Sequence, residues 1–505
     1  MNLLPNRLCP RFLWPRILWL VSGVSLLAGC AVGPDFHRPR IAPVPGYGAP
    51  GYVAHDSEPL GKRQIAIGRD IPGAWWRLFR SPVLTRLVIV ALADNPSIAA
   101  AQATLRQARE LSLEQRGVLF PSVSGAVART REQLPLSYEG FASPPLLFSE
   151  YGAQLNLSYS FDIWGGLRRA VEQASARAEF EGFELEATDL ALTAEVATNT
   201  IQAASLADQI RVQRELIGFE QRQLYTVRQQ FQLGGATGTD VATQEAQVAA
   251  ARTVLVPLLT ALAQSRDALA ADLGRAPSEV VIPPLSLDDL RLPATLPLSL
   301  PAALLDQRPD IRAAEAVLHQ QTALLGVDIA ARLPQVTLTA SVGSDAADIH
   351  QLFSPGNGMW SLINQAVQPV FDAGQLLHAQ RAQRAAMDNA AALWRNTVVR
   401  AFQNVADVLV ALRNDEAALA ASRDEAHAAR RSLSLASLQY KLGGVSYLTV
   451  LIAQQSTQNA ILSLLRARAA RYTDTVALYQ ALGGGWWHRA DLPSPPPGLL
   501  SSPLP

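Results

Sequence analysis

The chain is written twice. Asn95-Pro96-Ser97-Ile98 returns 213 residues later as Arg308-Pro309-Asp310-Ile311, and Leu119-Phe120-Pro121 returns at the same separation as Arg332-Leu333-Pro334. Phe161-Asp162 returns after 210 residues as Phe371-Asp372. Gln230-Phe231-Gln232-Leu233-Gly234-Gly235 returns after 209 as Gln439-Tyr440-Lys441-Leu442-Gly443-Gly444, and Leu273-Gly274 after 209 as Leu482-Gly483. Five landmarks in one order, with slowly drifting separation, mark a tandem duplication of one supersecondary plan.

The plan is a helix, two strands and two further helices. The first repeat spans 95–275, with strands near 121–131 and 152–162 and long helices near 165–233 and 239–274. The second spans 306–484, with strands near 334–344 and 360–371 and long helices near 375–443 and 449–482. The opening helices, 95–118 and 309–332, stop before Pro121 and Pro334, because proline disfavours helix in the residue before it. Of 33 prolines none falls within 146–256 or 370–492, where the long helices lie. A helix over 167–233 measures about 100 Å at ~1.5 Å per residue, several times the usual globular length. Segment 30–94 precedes the repeats, 276–305 joins them, and 485–505 reads as a disordered Pro/Ser-rich tail.

The helices carry a seam. Phe180, Phe183, Ala187, Leu190, Ala194, Ala197, Ile201 and Ala204 step alternately by three and four, the coiled-coil rhythm. Met387, Ala391, Trp394, Val398, Phe402, Val405, Leu409 and Leu412 do the same with one extra four-residue step, a stutter that unwinds the supercoil locally. A core stripe of a large bundle has the same spacing; length and duplication favour a helical tube or stalk.

The strands alternate. Residues 154–161 are polar at even and apolar at odd positions, and 336–342 also alternate cleanly, which puts apolar side chains on one sheet face. A soluble sandwich shares that pattern. Residues 360–371 fit neither parity throughout, so their register stays open. Outside the N-terminus no apolar run reaches the length of a spanning helix; the richest, 254–263, is short and broken by Pro257. A membrane crossing must therefore use strands. Two strands per repeat make four per chain, and their open edges are not tolerated in lipid, so closure requires several chains.

Residues 1–29 read as a secretion signal, with Arg7, Arg11 and Arg16 before the apolar 17–27. The segment ends Leu27-Ala28-Gly29-Cys30, a lipobox pattern in which Cys30 is lipidated and becomes the first mature residue. Cys9 leaves with the signal, so the mature chain holds one cysteine and no internal disulfide. No constellation supports an enzyme or a metal site. The histidines at 37, 55, 319, 350, 378, 427 and 488 form no cluster, and there is no nucleophile elbow or Walker A run. Gly46-x-Gly48-x-x-Gly51 sits between Pro45 and Pro50 in a linker, without a preceding strand or a following helix. The 43 basic and 43 acidic residues cancel, leaving no electrostatic case for nucleic acid. Trp75-Trp76 and Trp486-Trp487 read as packing anchors.

Several stretches resemble the TolC-like outer-membrane efflux factors, in their lipoprotein branch. They are Cys30-Ala31-Val32-Gly33-Pro34-Asp35-Phe36 with Pro39; Arg308-Pro309-Asp310-Ile311-Arg312-Ala313-Ala314-Glu315; Ala331-Arg332-Leu333-Pro334; Tyr440, Gly443, Tyr447-Leu448 and Ala453-Gln454; and residues 481–486. The resemblance implies a mainly α fold with a membrane β-barrel: a homotrimer sharing twelve strands, continued by a helical periplasmic tunnel, with a mixed equatorial region from segments 30–94 and 276–305 and the C-terminal segment. It implies a passive exit duct anchored to outer-membrane lipid through Cys30, with no cofactor beyond that lipid. Its partners would be a periplasmic adaptor and an inner-membrane pump of the resistance-nodulation-division type. It also implies that the turns at Gly234, Gly235 and Gly238 and at Gly443 and Gly444 form the periplasmic tip and dock the adaptor. Leu448, Thr449 and Ile452 would line the aperture, with Asp240 contributing from the first repeat. The family's usual aspartate falls on Ile452, which removes an expected acidic ring. A periplasmic coiled-coil adaptor or structural lipoprotein is the alternative, and the paired landmarks count against it.

Overall fold

The computed structural model describes residues 31–41, 46–47, 59–60, 63–134 and 145–489. Among these the strands are β1 (Pro59–Leu60), β2 (Arg63–Ile67), β3 (Ser122–Leu134), β4 (Leu146–Phe161), β5 (Thr295–Leu298), β6 (Gln335–Ala346) and β7 (Gly358–Val367). The helices are α1 (Pro82–Asp94), α2 (Pro96–Gly117), α3 (Gly166–Gln232), α4 (Gly238–Asp272), α5 (Pro301–Gln307), α6 (Pro309–Ala330), α7 (Gln375–Lys441) and α8 (Tyr447–Ala481). The duplication is visible in the lengths: α3 and α7 each have 67 residues, α4 and α8 each 35, α2 and α6 each 22. The chain divides into two compact units, one holding 106–180 and 315–393 with the N-terminal arm, the other 40–105, 181–314 and 394–505.

In the first unit β3-β4-β6-β7 form an antiparallel sheet. Register fixes the faces, since directly opposed residues share a side. Val123, Leu157, Ala340 and Leu362 lie in one row and Gly125, Leu155, Val342 and Trp360 in the next, a continuous apolar face. The other face carries Ser124, Asn156, Ser341 and Ser361, then Ser122, Ser158 and Thr339. Val123, Leu155, Val342, Trp360 and Leu362 are all more than half exposed, so none of the described residues covers the apolar face. Along β4 it extends from Ala153 to Phe161, about 26 Å at ~3.3 Å per residue and about 20 Å high at a barrel strand's tilt. Beyond it stand Arg129, Arg131 and Glu150, with Arg129 over the Tyr151 ring at 5.4 Å.

The structure supplies the register that alternation left open: Gln335 opposes Val367 and Ser344 opposes Gly358. Parity fails in β7 because Ile363 and Val367 share the polar side while Asn364 sits among the apolar rows. β7 ends at Val367, short of the expected 371, because Gln368 is followed by Pro369, which has no N–H for a ladder. β4 starts at Leu146, earlier than the expected 152, since Leu134 opposes Leu146 and lengthens the hairpin.

An N-terminal arm is fastened to the same unit. Val32 N donates to the Trp164 carbonyl (2.8 Å), and Arg169 reaches Asp35 (2.6 Å) and Glu172 (2.7 Å). His319 closes on Glu172 at 2.9 Å, Phe36 stacks on His319 at 4.3 Å, and Arg38 pairs with Glu315. Burial pushes the Glu172 carboxyl up, but hydrogen bonds from His319 and Arg169 hold it below its ordinary range. Gly33 takes a positive φ, and a Cβ there would lie 2.6 Å from Gly326 Cα, so the arm approaches α6 backbone to backbone. Cys30 and the 1–29 signal lie outside the described residues.

The second unit has the large core. Trp75 stacks on Tyr479 at 5.3 Å, Phe79 packs on both, and Leu84, Leu269, Leu296, Leu304 and Ile311 are fully buried around them. The seam residues Ala194, Ala197, Ile201, Ala204, Val398, Val405, Leu409 and Leu412 belong to this core. β1 and β2 are antiparallel, and β2 runs parallel to β5, joining the stretch before the repeats to the stretch between them. Segment 30–94 contains α1, capped by the Ser81 hydroxyl and opened by Pro82.

The expected disordered tail over 485–505 needs correction at its start. Trp486 donates to the Gln307 carbonyl (2.8 Å) and packs edge-on against Phe183. Arg489 pairs with Glu186 (2.6 Å) and Asp189 (3.0 Å). Two tryptophans and an arginine with buried acceptors outweigh the polar composition that follows; 490–505 lie outside the described residues.

One helix tempers the run-length argument. α4 contains a window of mean hydropathy 1.5, long and apolar enough by composition to cross a membrane, and that window is largely exposed. Its inner side packs through hydrogen bonds from Gln213 to the Ala251 carbonyl and from Ser265 to the Asn199 carbonyl.

Candidate functional site

The two helix-to-helix turns of the second unit carry the residues singled out from sequence. α3 ends in a Schellman pattern: Gly234 has φ +75°, its N–H bonds the Phe231 carbonyl, and Gly235 N–H bonds the Gln230 carbonyl at 2.7 Å. α7 ends identically, with Gly443 at φ +74°, bonded to Tyr440, and Gly444 N–H on the Gln439 carbonyl at 2.8 Å. Only the first glycine of each pair needs its left-handed conformation. A Cβ on Gly235, Gly444 or Gly238 would meet its nearest neighbour at ordinary contact distance.

The turns diverge at the next helix start. Thr237 caps α4 in a reciprocal box: Asp240 N–H donates to Thr237 Oγ1 (3.2 Å), and the Asp240 carboxylate accepts from Thr237 N (2.8 Å) and Oγ1 (2.7 Å). The backbone hydrogen bond, then the hydroxyl, holds the Asp240 carboxyl below its ordinary range. In the second repeat Ser446 and Thr449 occupy the equivalent places; their hydroxyls lie 3.3 Å apart, and Ser446 makes no capping bond. Gly234, Gly235, Gly238 and Asp240 thus lie in one turn, and Gly443, Gly444, Leu448 and Thr449 in the other, with Ile452 one helical turn further along α8. The Tyr447 hydroxyl joins them, donating to Gln244 Oε1 at 2.5 Å.

Behind that link runs a buried polar ladder that sequence reasoning missed. Gln244 donates to Glu220 Oε2 (2.5 Å), Gln454 donates to Glu220 Oε1, and Gln458 donates to Gln213 Oε1. Gln213, Glu220, Gln244, Gln454 and Gln458 are all buried. Burial pushes the Glu220 carboxyl up, opposed by its two amide donors. The ladder ties α8 to α3 and α4 by buried hydrogen bonds in a low-dielectric seam, with Gln454 Oε1 left without a partner in it. A signal was present: Gln213 and Glu220 are seven apart and Gln454 and Gln458 four apart, polar residues repeating on the buried stripe of each helix.

The outward stripe of α8 is different. Leu448 and Ile452 are 58 % and 63 % exposed, followed by exposed Gln455 and Asn459. Among the described residues no three His, Cys, Asp or Glu side chains group as metal ligands. These turns and stripes are built from caps, hydrogen bonds and exposed side chains.

A family model described as "Outer membrane efflux protein" matches residues 87–275 and 300–484, one match per repeat. The chain is 30% identical over 474 residues to the probable efflux pump outer membrane protein TtgC of Pseudomonas putida, covering 94% of this chain and 96% of that protein. It is 31% identical over 425 residues to the pyoverdine export outer membrane protein OpmQ of Pseudomonas putida, covering 83% and 89%. Among solved structures, the outer-membrane channel OprN superposes with a TM-score of 0.81 at 25% identity, over 90% of this chain and 100% of that one. The outer membrane protein VceC of Vibrio cholerae gives 0.75 at 25% identity, over 82% and 100%.

Proposed function

The chain belongs to the outer membrane efflux protein family, and from that premise we propose that it is the exit duct of a tripartite efflux pump, acting as a homotrimer. The observation that carries this reading is the four-stranded sheet. One face is apolar and uncovered, the other is lined with serine, threonine and amide side chains, and among the described residues β3 and β7 each pair on one side only. Lipid suits the first face and water the second, while unpaired edges cost several kcal/mol per backbone group in hydrocarbon. Three copies joined edge to edge form a twelve-stranded barrel without an edge. The exposed apolar side of α4 is covered by a neighbouring copy in the same assembly.

The strands carry solutes through the outer membrane, and the long helices line the periplasmic passage. Energy and selection come from an inner-membrane pump of the resistance-nodulation-division type, linked by a periplasmic adaptor that docks at the turns around Gly234 and Gly443. Cys30 carries the lipid anchor. The docked arm supports this, since it holds Ala31 within contact of Gly165, four residues beyond the end of β4. The test is expression in a host lacking its own duct, together with the neighbouring adaptor and pump. Restored drug efflux and trimer-sized cross-links in the outer-membrane fraction are expected; a monomer in the inner-membrane fraction refutes the duct. Separately, Cys30→Ser abolishes fatty-acid labelling if the anchor is there.

A further inference from the structure

At the loop end of the four-stranded sheet, opposite the end that joins the helices, the apolar face gains a wall. Ser344 lies in the row of Val127 and Ala153 and so points to that face. Its hydroxyl is shared between the carbonyls of Leu352 and Asn357, the latter at 2.8 Å, which folds the β6–β7 loop, 347–357, back onto the sheet. Asn357 in turn donates to the Gln351 carbonyl at 2.7 Å, and Ala346 and Leu352 are buried. Loop and sheet enclose a hollow of about 650 Å³, lined by Gly125, Val127, Leu155, Val342 and Phe353. That is the size of a small-ligand site. A Cβ on Gly125 would already meet the Leu155 side chain at 3.4 Å, so a larger residue at 125 fills the hollow.

The next two rows on this face are cationic. Arg129 opposes Tyr151 and lies over its ring at 5.4 Å, where cation–π attraction fixes its position. Arg131 opposes Ser149, and both arginines are exposed. Rows on one face are about 7 Å apart, two residues at ~3.4 Å each, so both guanidiniums can close on one phosphate group. Glu132 and Glu150 alternate onto the opposite face, and among the described residues no acidic side chain pairs with either arginine.

We propose that this end of the sheet binds an acidic lipid of the outer leaflet, with an acyl chain in the hollow beneath the β6–β7 loop and its phosphate on Arg129 and Arg131. The proposal rests on the duct reading, which turns the apolar face to lipid and the loops away from the periplasm. Two features select the occupant. A hollow continuous with the lipid face takes a hydrocarbon chain, with a gain for every methylene buried. Cations at the edge of that face stand at the depth of headgroups, and the guanidinium fork matches phosphate with two parallel hydrogen bonds. A neutral lipid leaves both arginines beside hydrocarbon without a counter-charge, and free phosphate leaves the hollow without a chain. The bound lipid spans β3 of the first repeat and the β6–β7 loop of the second, and so braces the outer rim.

The experiment is native mass spectrometry of the assembly released from mild detergent. The probes are diphosphoryl lipid A, the same lipid stripped of its phosphates, and inorganic phosphate. Wild type is compared with the double variant Arg129→Gln with Arg131→Gln, and with Gly125→Leu, which fills the hollow and keeps both arginines. Wild type is expected to hold one lipid A per chain. The glutamine pair binds it at least about tenfold more weakly, as the loss of one charge-assisted hydrogen bond already requires. Gly125→Leu also binds it more weakly, the dephosphorylated lipid is held poorly by wild type, and millimolar inorganic phosphate does not displace lipid A. Equal binding by wild type and the glutamine pair, or equal binding of the two lipids, overturns the phosphate contact. Displacement by inorganic phosphate, or undiminished binding by Gly125→Leu, overturns the lipid as occupant. All of these leave a trimer in the spectra and the duct standing. The trimer mass also reports assembly of each variant, and if Gly125→Leu does not assemble, the glutamine pair decides alone. Absence of a trimer from all three proteins overturns the duct and the lipid site together.

Discussion

Glu186 offers the sharpest electrostatic test. Its side chain is 8% exposed and shares Arg489 with Asp189. Burial, against the pull of Arg489 and with the repulsion of Asp189, pushes its carboxyl from 4.5 up to about 7. A carboxyl raised in the folded state binds its proton more tightly there than in the unfolded chain. Its contribution to stability is therefore fully present below pH 4.5 and is lost as pH rises through about 7. At ~1.36 kcal/mol per pH unit the interval from 4.5 to about 7 corresponds to about 3 kcal/mol. Glu186→Gln removes the titration while keeping a hydrogen-bond acceptor for Arg489. The assay is the urea midpoint of the purified protein across that pH range, read as the difference between variant and wild type so that other carboxylates cancel. The variant should gain on wild type by about 3 kcal/mol between acid and mildly alkaline pH, and hold level above about pH 8. Parallel curves for the two proteins refute the buried, proton-holding Glu186.

Other perturbations separate the remaining parts. Gly234→Ala and Gly443→Ala should each cost about 1 kcal/mol in urea unfolding, because alanine resists positive φ, whereas Gly235→Ala and Gly444→Ala should be near neutral. Equal costs at all four would contradict the assignment of the turns. Glu220→Ala strands two buried amides, at about 1–3 kcal/mol each, and should speed hydrogen exchange at the ends of α3 and α8 more than Glu220→Gln does. Arg169→Ala leaves the half-buried Glu172 without its arginine and removes the solvent-screened pair to Asp35, and should expose residues 31–39 to protease. On the sheet, Leu157→Arg should cost about 2–4 kcal/mol in lipid while Ser158→Arg is tolerated, and the reverse order would invert the faces.

Much of this fold was legible because its signals are long-range and periodic. Prolines bracketed α3 and α7, the repeated Gly-Gly pairs placed their ends within two residues, and alternation in 154–161 set the apolar face of β4. Short elements were hidden where tertiary contacts decide. α1 lies in a segment whose elements the sequence left unassigned, and residues 485–489 are ordered by Phe183, Glu186, Asp189 and Gln307, all far away in sequence. β7 escaped because both of its faces mix polar and apolar residues. At the site, the repeated Gly-Gly pairs came from pattern and Leu448 and Ile452 from the family resemblance, whereas the Glu220 ladder looked like ordinary helix-surface polarity until three helices buried it. Asp240 changed its meaning: proposed for the aperture, its carboxylate is held by Thr237.

The central claim is that one chain provides only a third of a sealed wall. Electron cryomicroscopy of the particle extracted from outer membranes tests it most directly, by counting strands and copies around the axis. Twelve strands from three chains, with β3 of one zipped to β7 of the next around an open bore, is the outcome expected. A lone chain whose own sheet curls shut, or an assembly with no passage through its middle, would contradict it.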